Sequence, residues 1–189
     1  MTKIRVTPPS GTPIALADAK AHMRVDSTSE DDLITSLIAA AGARIEAETE
    51  LALLSQTWRL YLDAWPPDLE VEIAPTPVLS VDDIVVYDAA GDPASVPTTG
   101  YLVDRYARPA RIRLTDAGSS PGVEINGIEI DFTAGFGSDP ADIPEPLRQA
   151  MLLLIAHWYE NRQVASDGRA NPVPAGYAAL VAPYRNVRL

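Results

Sequence analysis

His22 and His157 are the only two histidines of the chain, and it contains no cysteine. Thiolate nucleophiles, thiolate metal ligands and disulfides are therefore excluded by composition. His157 precedes Glu160 by three residues in AHWYENR, a spacing that places an imidazole and a carboxylate on one helical face and supplies half of a metal site. No further histidine is available to complete it, so a packed or interfacial histidine is the simpler reading. The pairs Asp31-Asp32 and Asp82-Asp83 carry enough charge for a hard cation, yet neither lies in a D-x-[DN]-x-[DN]-G loop. A helix start and a solvated strand edge account for them. AGFGSD has two glycines of a nucleotide fingerprint but neither the third nor a βαβ unit around it. Gly135 and Gly137 thus read as permissive backbone at a strand-to-helix turn. There is no G-x-S-x-G elbow and no P-loop. The arginines of DRYARPARIRL fit alternation along an exposed strand better than a grip on phosphate. The residues predict no catalytic group, no metal and no cofactor.

The elements that carry these residues belong to a chain of 189 residues, 47% hydrophobic, which suits one globular domain or one with a sizeable insertion. The formal net charge is -11. Both ends are basic: Lys3, Arg5, Lys20 and Arg24 face a single acid, Asp18, up to Val25, and Arg162, Arg169, Arg185 and Arg188 face Asp167 at the other end. The negative charge is concentrated in between, which disfavours a sequence-reading nucleic-acid binder. The basic ends suit an acidic protein partner, or simply solubility. The opening MTKIRVTPPSGTP lacks the apolar core of a secretory signal, and no run approaches the ~18 apolar residues of a membrane span. With no cysteine, the expected compartment is the cytosol.

After a proline-rich arm, ALADAKAHMRVD predicts a short helix with Leu16, Ala19 and Met23 on one face. A second helix, roughly 29 to 50, follows from a Ser27 or Ser29 cap, Glu30, Asp31 and Asp32 in its first turn, and an i, i+4 row of Leu33, Leu37, Ala41 and Ile45. The period then changes to two. Trp58, Leu60 and Leu62 alternate with Arg59, Tyr61 and Asp63, and Leu69, Val71 and Ile73 with Glu70 and Glu72. Two strands around a loop with Gly91 and Pro93, then ARIRL and GIEIDF, complete an antiparallel β region. Residues 110 to 114 are expected to pair with 127 to 133 across TDAGSSPG. A third helix, about 145 to 162, carries Leu147, Met151, Leu154 and Trp158 in one row with Leu152, Ile155 and Tyr159 beside it. It is apolar over more of its circumference than one buried face requires. A linker rich in small residues leads to YAALVAPYRNVRL, which has no room for a core of its own.

The expected fold is α+β: a small bundle of three main helices with an antiparallel β insertion between helices two and three, and an extended C-terminal tail. The ranges are 1-52 for the arm and first two helices, 53-137 for the β insertion, 138-163 for the third helix and 164-189 for linker and tail.

Two long stretches, PIALADAKAHMRVDSTSEDDLITSLIAAAGARIEAETELALLSQTWRLYLDAWP and IEIDFTAGFGSDPADIPEPLRQAMLLLIAHWYENR, resemble the head-tail connector, or adaptor, proteins of long-tailed phages and gene transfer agents. The resemblance covers most of residues 13 to 163 and is carried by Lys20 to Val25, EDDLI, QTW and AGFG...IPEPLRQA...WYENR. Ala15 departs from it, standing where a Ser or Thr cap is expected. The resemblance implies a structural subunit of a homo-oligomeric ring, about twelve-fold in the particle, made in the bacterial cytoplasm and sited at the head-tail junction. Its partners would be the portal and a tail-side stopper or tail-completion protein, with DNA passing through unread and no membrane involved. Leu33, Leu37, Ile45, Leu147, Met151, Leu154, Trp158 and Tyr159 would then form the bundle core or the subunit interface. The tail would dock on the portal through Tyr177, Leu180, Val181, Tyr184 and Leu189, with Arg185 and Arg188 supplying charge.

Two other classes stay open: a non-catalytic module whose β block binds a protein or glycan, and a metal-dependent hydrolase using Asp and Glu, for which no constellation is visible.

Overall fold

The structure, a computed structural model, describes residues 1–115, 120–161 and 173–186. The chain divides into two units: residues 1–9 with 55–136, and residues 10–54 with 137–189. It passes from one to the other three times, so neither unit is a continuous segment.

The first unit is all β. Its larger sheet has five strands in the order β1-β2-β8-β4-β5, formed by β1 (Thr2–Thr7), β2 (Gln56–Leu62), β4 (Val78–Tyr87), β5 (Pro93–Ser95) and β8 (Ile128–Ala134). Every junction is antiparallel. The period-two pattern in β2 and β8 sends Leu60, Leu62, Ile128, Ile130, Phe132 and Ala134 to one buried face and leaves Arg59, Tyr61, Glu129 and Asp131 on the other. The smaller sheet has the order β3-β7-β6, with β3 (Glu70–Ile73), β6 (Tyr101–Asp104) and β7 (Ala110–Leu114). Its outer face is a ladder of opposite charges in which Arg113 faces Glu70 and Arg111 faces Glu72.

The second unit is helical: α1 (Leu16–Met23), α2 (Asp31–Thr49), α3 (Glu145–Glu160) and α4 (Ala175–Val181), the last running into a 3-10 turn, Ala182–Tyr184. No helix among the described residues is long and apolar enough to cross a membrane.

The expected architecture is corrected in three respects. The N-terminal arm is a strand, β1, hydrogen-bonded along β2, so the β region is no insertion into a three-helix bundle but a unit begun by the first residues of the chain. Four α-helices are present among the described residues, and the C-terminal segment is helical at Ala175–Val181 where an extended tail was expected. Residues 110 to 114 and 127 to 133 do not pair with each other: β7 lies between β3 and β6, and β8 between β2 and β4. Nearness in sequence argued for the hairpin. The cross-strand charge pairs of β7 with β3, and burial of every second residue of β8 in the middle of the larger sheet, override it.

Helix ends also differ from the reading. The residue capping α2 is Glu30, which makes no side-chain cap bond, while Ser27 and Ser29 bond to each other in the preceding turn. At the entry to α3, Asp139 and Asp142 form a reciprocal capping box around the 3-10 turn Pro140–Asp142. The two glycines before it have separate reasons. Gly135 sits at φ +145°, a conformation side chains rarely tolerate. A Cβ on Gly137 would lie 1.9 Å from the Asp142 carboxylate.

Candidate functional site

The helical unit holds every described residue singled out for core, interface or docking, and it sorts them. On α2 the buried row is Ile34, Ile38, Ala41 and Ile45, whereas Leu37 is half-buried and Leu33 is 36% exposed. The i, i+4 row expected from the sequence drifts about 40° per step around a helix of 3.6 residues per turn. Alternating steps of four and three stay on one face, and the buried set follows them. On α3, Leu147, Ala150, Met151, Leu154 and Ile155 are buried. Leu152, Leu153, Trp158 and Tyr159 are half-buried along its flanks, and the Tyr159 hydroxyl donates to Glu30. The helix therefore keeps apolar surface outside its own core. His157 is half-buried and contacts Asn161; His22 is exposed.

The C-terminal segment is fastened to this unit. Tyr177 and Val181, one turn apart on α4, are 2% and 0% exposed. The Arg44 guanidinium lies 5.7 Å from the centre of the Tyr177 ring, within the range of a cation–π contact. Arg44 Nε donates to Glu48 at 2.8 Å, and Arg185 donates to the other oxygen of Glu48 at 3.1 Å. Asn186 donates to Glu50 at 3.1 Å. Burial pushes the Glu48 carboxyl up, but the Arg185 hydrogen bond and the Arg44 charge outweigh it and hold the group below its ordinary value. Burial raises the Tyr177 phenol. Of the expected docking residues, Tyr177 and Val181 thus face inward, Leu180 and Tyr184 are half-buried, and Arg185 is exposed. Arg188 and Leu189 lie outside the described residues.

Two features of the β unit escaped the reading. On the outer face of the larger sheet, Arg59 makes a two-pronged bond to Asp131 at 2.6 and 2.7 Å and an ion pair with Glu129 at 2.9 Å. The Asp131 bond, with both acids, raises the arginine. Alternation had marked these residues as solvent-facing, and only strand order reveals that they meet. On the opposite face Lys3 and Arg5 of β1 stack on Trp58, 5.2 and 5.9 Å from the ring centre. Among the described residues no three His, Cys, Asp or Glu side chains group as metal ligands.

The model of the phage gp6-like head-tail connector proteins matches residues 13–94. The chain is 33% identical to a chain of the virion of a native gene transfer agent particle, covering 100% of this chain and 97% of that one, with a TM-score of 0.86. It is 34% identical, at TM-score 0.85 and the same coverage, to a chain from the neck of an empty particle computed with C6 symmetry. It is 33% identical, at TM-score 0.81, to one from the neck of a native particle computed with C12 symmetry. No protein of curated function matches. The chain belongs to the phage gp6-like head-tail connector family, a structural and non-enzymatic family.

Proposed function

We propose that this chain is a connector subunit of the neck of a gene transfer agent or phage-like particle, repeated in a symmetric ring at the head-tail junction. The observation that carries this reading is the likeness over the whole chain, at 33 to 34% identity, to chains of gene transfer agent necks. The ring joins the portal to a tail-side stopper or completion protein, and DNA passes through it without being read. An acidic central sequence suits that passage, because it repels phosphate.

Within the ring, the half-buried flanks of α3 at Trp158 and Tyr159, with Leu33 and Leu37 on α2, supply apolar contact to neighbouring subunits or to the portal. Portal docking falls to the end of the chain: Leu180, Tyr184 and Arg185, with Arg188 and Leu189. Tyr177 and Val181 hold that segment in place from inside.

The test is the mass of the purified protein by light scattering, alone and mixed with its portal, across a salt series. A discrete ring, or stoichiometric loading onto portal, is expected. A monomer that ignores portal at every salt concentration would overturn the reading.

A further inference from the structure

The two edges of the five-stranded sheet are chemically unlike. β1 has six residues, all solvent-exposed, with Ile4 and Val6 showing 44% and 49% of their surface. Its prolines, Pro8 and Pro9, follow the strand rather than interrupt it, and its one irregularity falls at the far end, between Arg5 and Thr7. Free edges are ordinarily blunted by brevity, proline or a central bulge, because an open row of peptide groups recruits another strand. β1 lacks these three devices, and its guard is charge. It carries Lys3 and Arg5 and no acid. The other edge, β5 and the turn before it at 88–95, is short, opens its strand on Pro93, and carries Asp88 and Asp92 and no base.

Direction follows from the ladder. All four junctions of the sheet are antiparallel, so β1 and β5 run the same way. Subunits related by rotation around a ring meet through two different patches and keep their strands in one direction. A basic edge meeting an acidic edge satisfies both conditions, whereas two copies of β1 meeting about a two-fold axis would oppose like charges.

We infer that the sheet edges are a subunit-to-subunit contact: β1 of one copy lies along β5 of the next in the same direction, basic edge against acidic edge, linking the five-stranded sheets around the ring. The inference rests on the ring reading above and names the surface that makes it.

The absence of native cysteine makes the test clean. Ile4 shares a row with Arg59 and Ser95 with Val85, Glu129 and Tyr61, so Ile4 and Ser95 lie on one face of the sheet. The full chain carrying Ile4→Cys and Ser95→Cys together is treated with a flexible bis-maleimide under conditions where light scattering reports the wild-type ring. A ladder of covalent multimers from the double variant, with each single variant remaining monomeric on a denaturing gel, is the expected result. A dimer from Ile4→Cys alone would mean a two-fold β1 contact and overturn the inference. A ring by mass with no ladder would overturn it while leaving the ring intact, and a wild-type chain that never assembles would remove both. A charge exchange gives an independent reading. Arg5→Glu and Asp92→Lys should each raise the concentration for half-assembly about fivefold, the effect of roughly 1 kcal/mol, and the two together should restore it. Failure of the pair to restore assembly counts against the edges.

Discussion

Arg185 reaches back across 137 positions of sequence to donate a hydrogen bond to Glu48 at 3.1 Å, and Arg44 holds the other oxygen of the same carboxylate. One acid on α2 therefore fastens the last described turn of the chain. All three side chains are partly solvated, with Arg44 41%, Glu48 24% and Arg185 46% exposed. The pairs are thus worth about 0–1 kcal/mol each, and the larger share of the attachment belongs to Tyr177 and Val181.

Tyr177→Ala should be the most damaging substitution in the C-terminal segment. It empties a site that is 2% exposed, and the loss of a large buried ring destabilises by about 3–5 kcal/mol where the surroundings cannot collapse. Limited proteolysis should release the segment after α3 in this variant and spare it in Leu180→Ala.

The fastening should weaken in acid. The Glu48 carboxyl is held below its ordinary value of 4.5 in the folded chain, so its contribution is complete above the unfolded value and is lost as pH falls through the folded one. Protection factors of the α4 amides, corrected for the pH dependence of free-peptide exchange, should therefore be flat from neutrality down to the ordinary carboxylate range and fall below it. Glu48→Gln should show lower protection at neutral pH and a shallower acid limb.

Arg59 and Asp131 should behave as a coupled pair. Asp131→Asn leaves a half-buried guanidinium with one acid partner, and Arg59→Met leaves two neighbouring carboxylates facing each other, so each single change should lower stability by about 1–3 kcal/mol. Denaturant unfolding of Arg59→Met with Asp131→Asn should show a loss smaller than the sum of the singles.

The turn into α3 should resist even alanine. Gly137→Ala drives a methyl into the Asp142 carboxylate, which must leave the capping box, at a loss of about 0.5–2 kcal/mol. Gly135→Ala meets backbone strain of about 1–3 kcal/mol at φ +145°. A double substitution of Gly137→Ala with Asp142→Gly, which also removes the Asp142 Cβ 2.8 Å away, should melt no lower than Asp142→Gly alone.

Removing residues 185–189 should abolish loading onto portal without unfolding the unit, because Tyr177 and Val181 remain. Truncated protein that still co-sediments with portal would move docking elsewhere.

Periodicity was a sound guide to faces and a poor one to partners. Leu60, Val71, Ile112 and Ile130 alternate with polar neighbours, and each lies buried in its strand. Which strands meet depends on pairings between distant residues, as Trp58 with Phe132 and Val81 with that same Phe132, and a pattern read along one strand carries no such information. The arm TKIRVT alternates as strands do, yet the prolines after it drew the eye toward an irregular lead-in. The C-terminal helix was hidden for another reason: seven residues, even with three alanines, are too few to hold a helix alone until Tyr177 and Val181 find a surface. The family itself was legible, since each of its motifs, EDDLI, QTW and AGFG...IPEPLRQA, is a short local run of the chain.

Strand β8 is the middle of the larger sheet and, of its five strands, the last to be synthesised. While residues 56–127 emerge from the ribosome, β2 and β4 have no bridge between them, and β1 waits on the same arrival for anything more than a two-stranded ribbon. A nascent chain stalled before Ile128 therefore carries strands with open edges and no core, whereas a few further residues close the sheet at once. The moment of greatest exposure to misassembly in this protein is set by the position of one strand in the gene, and ends with it.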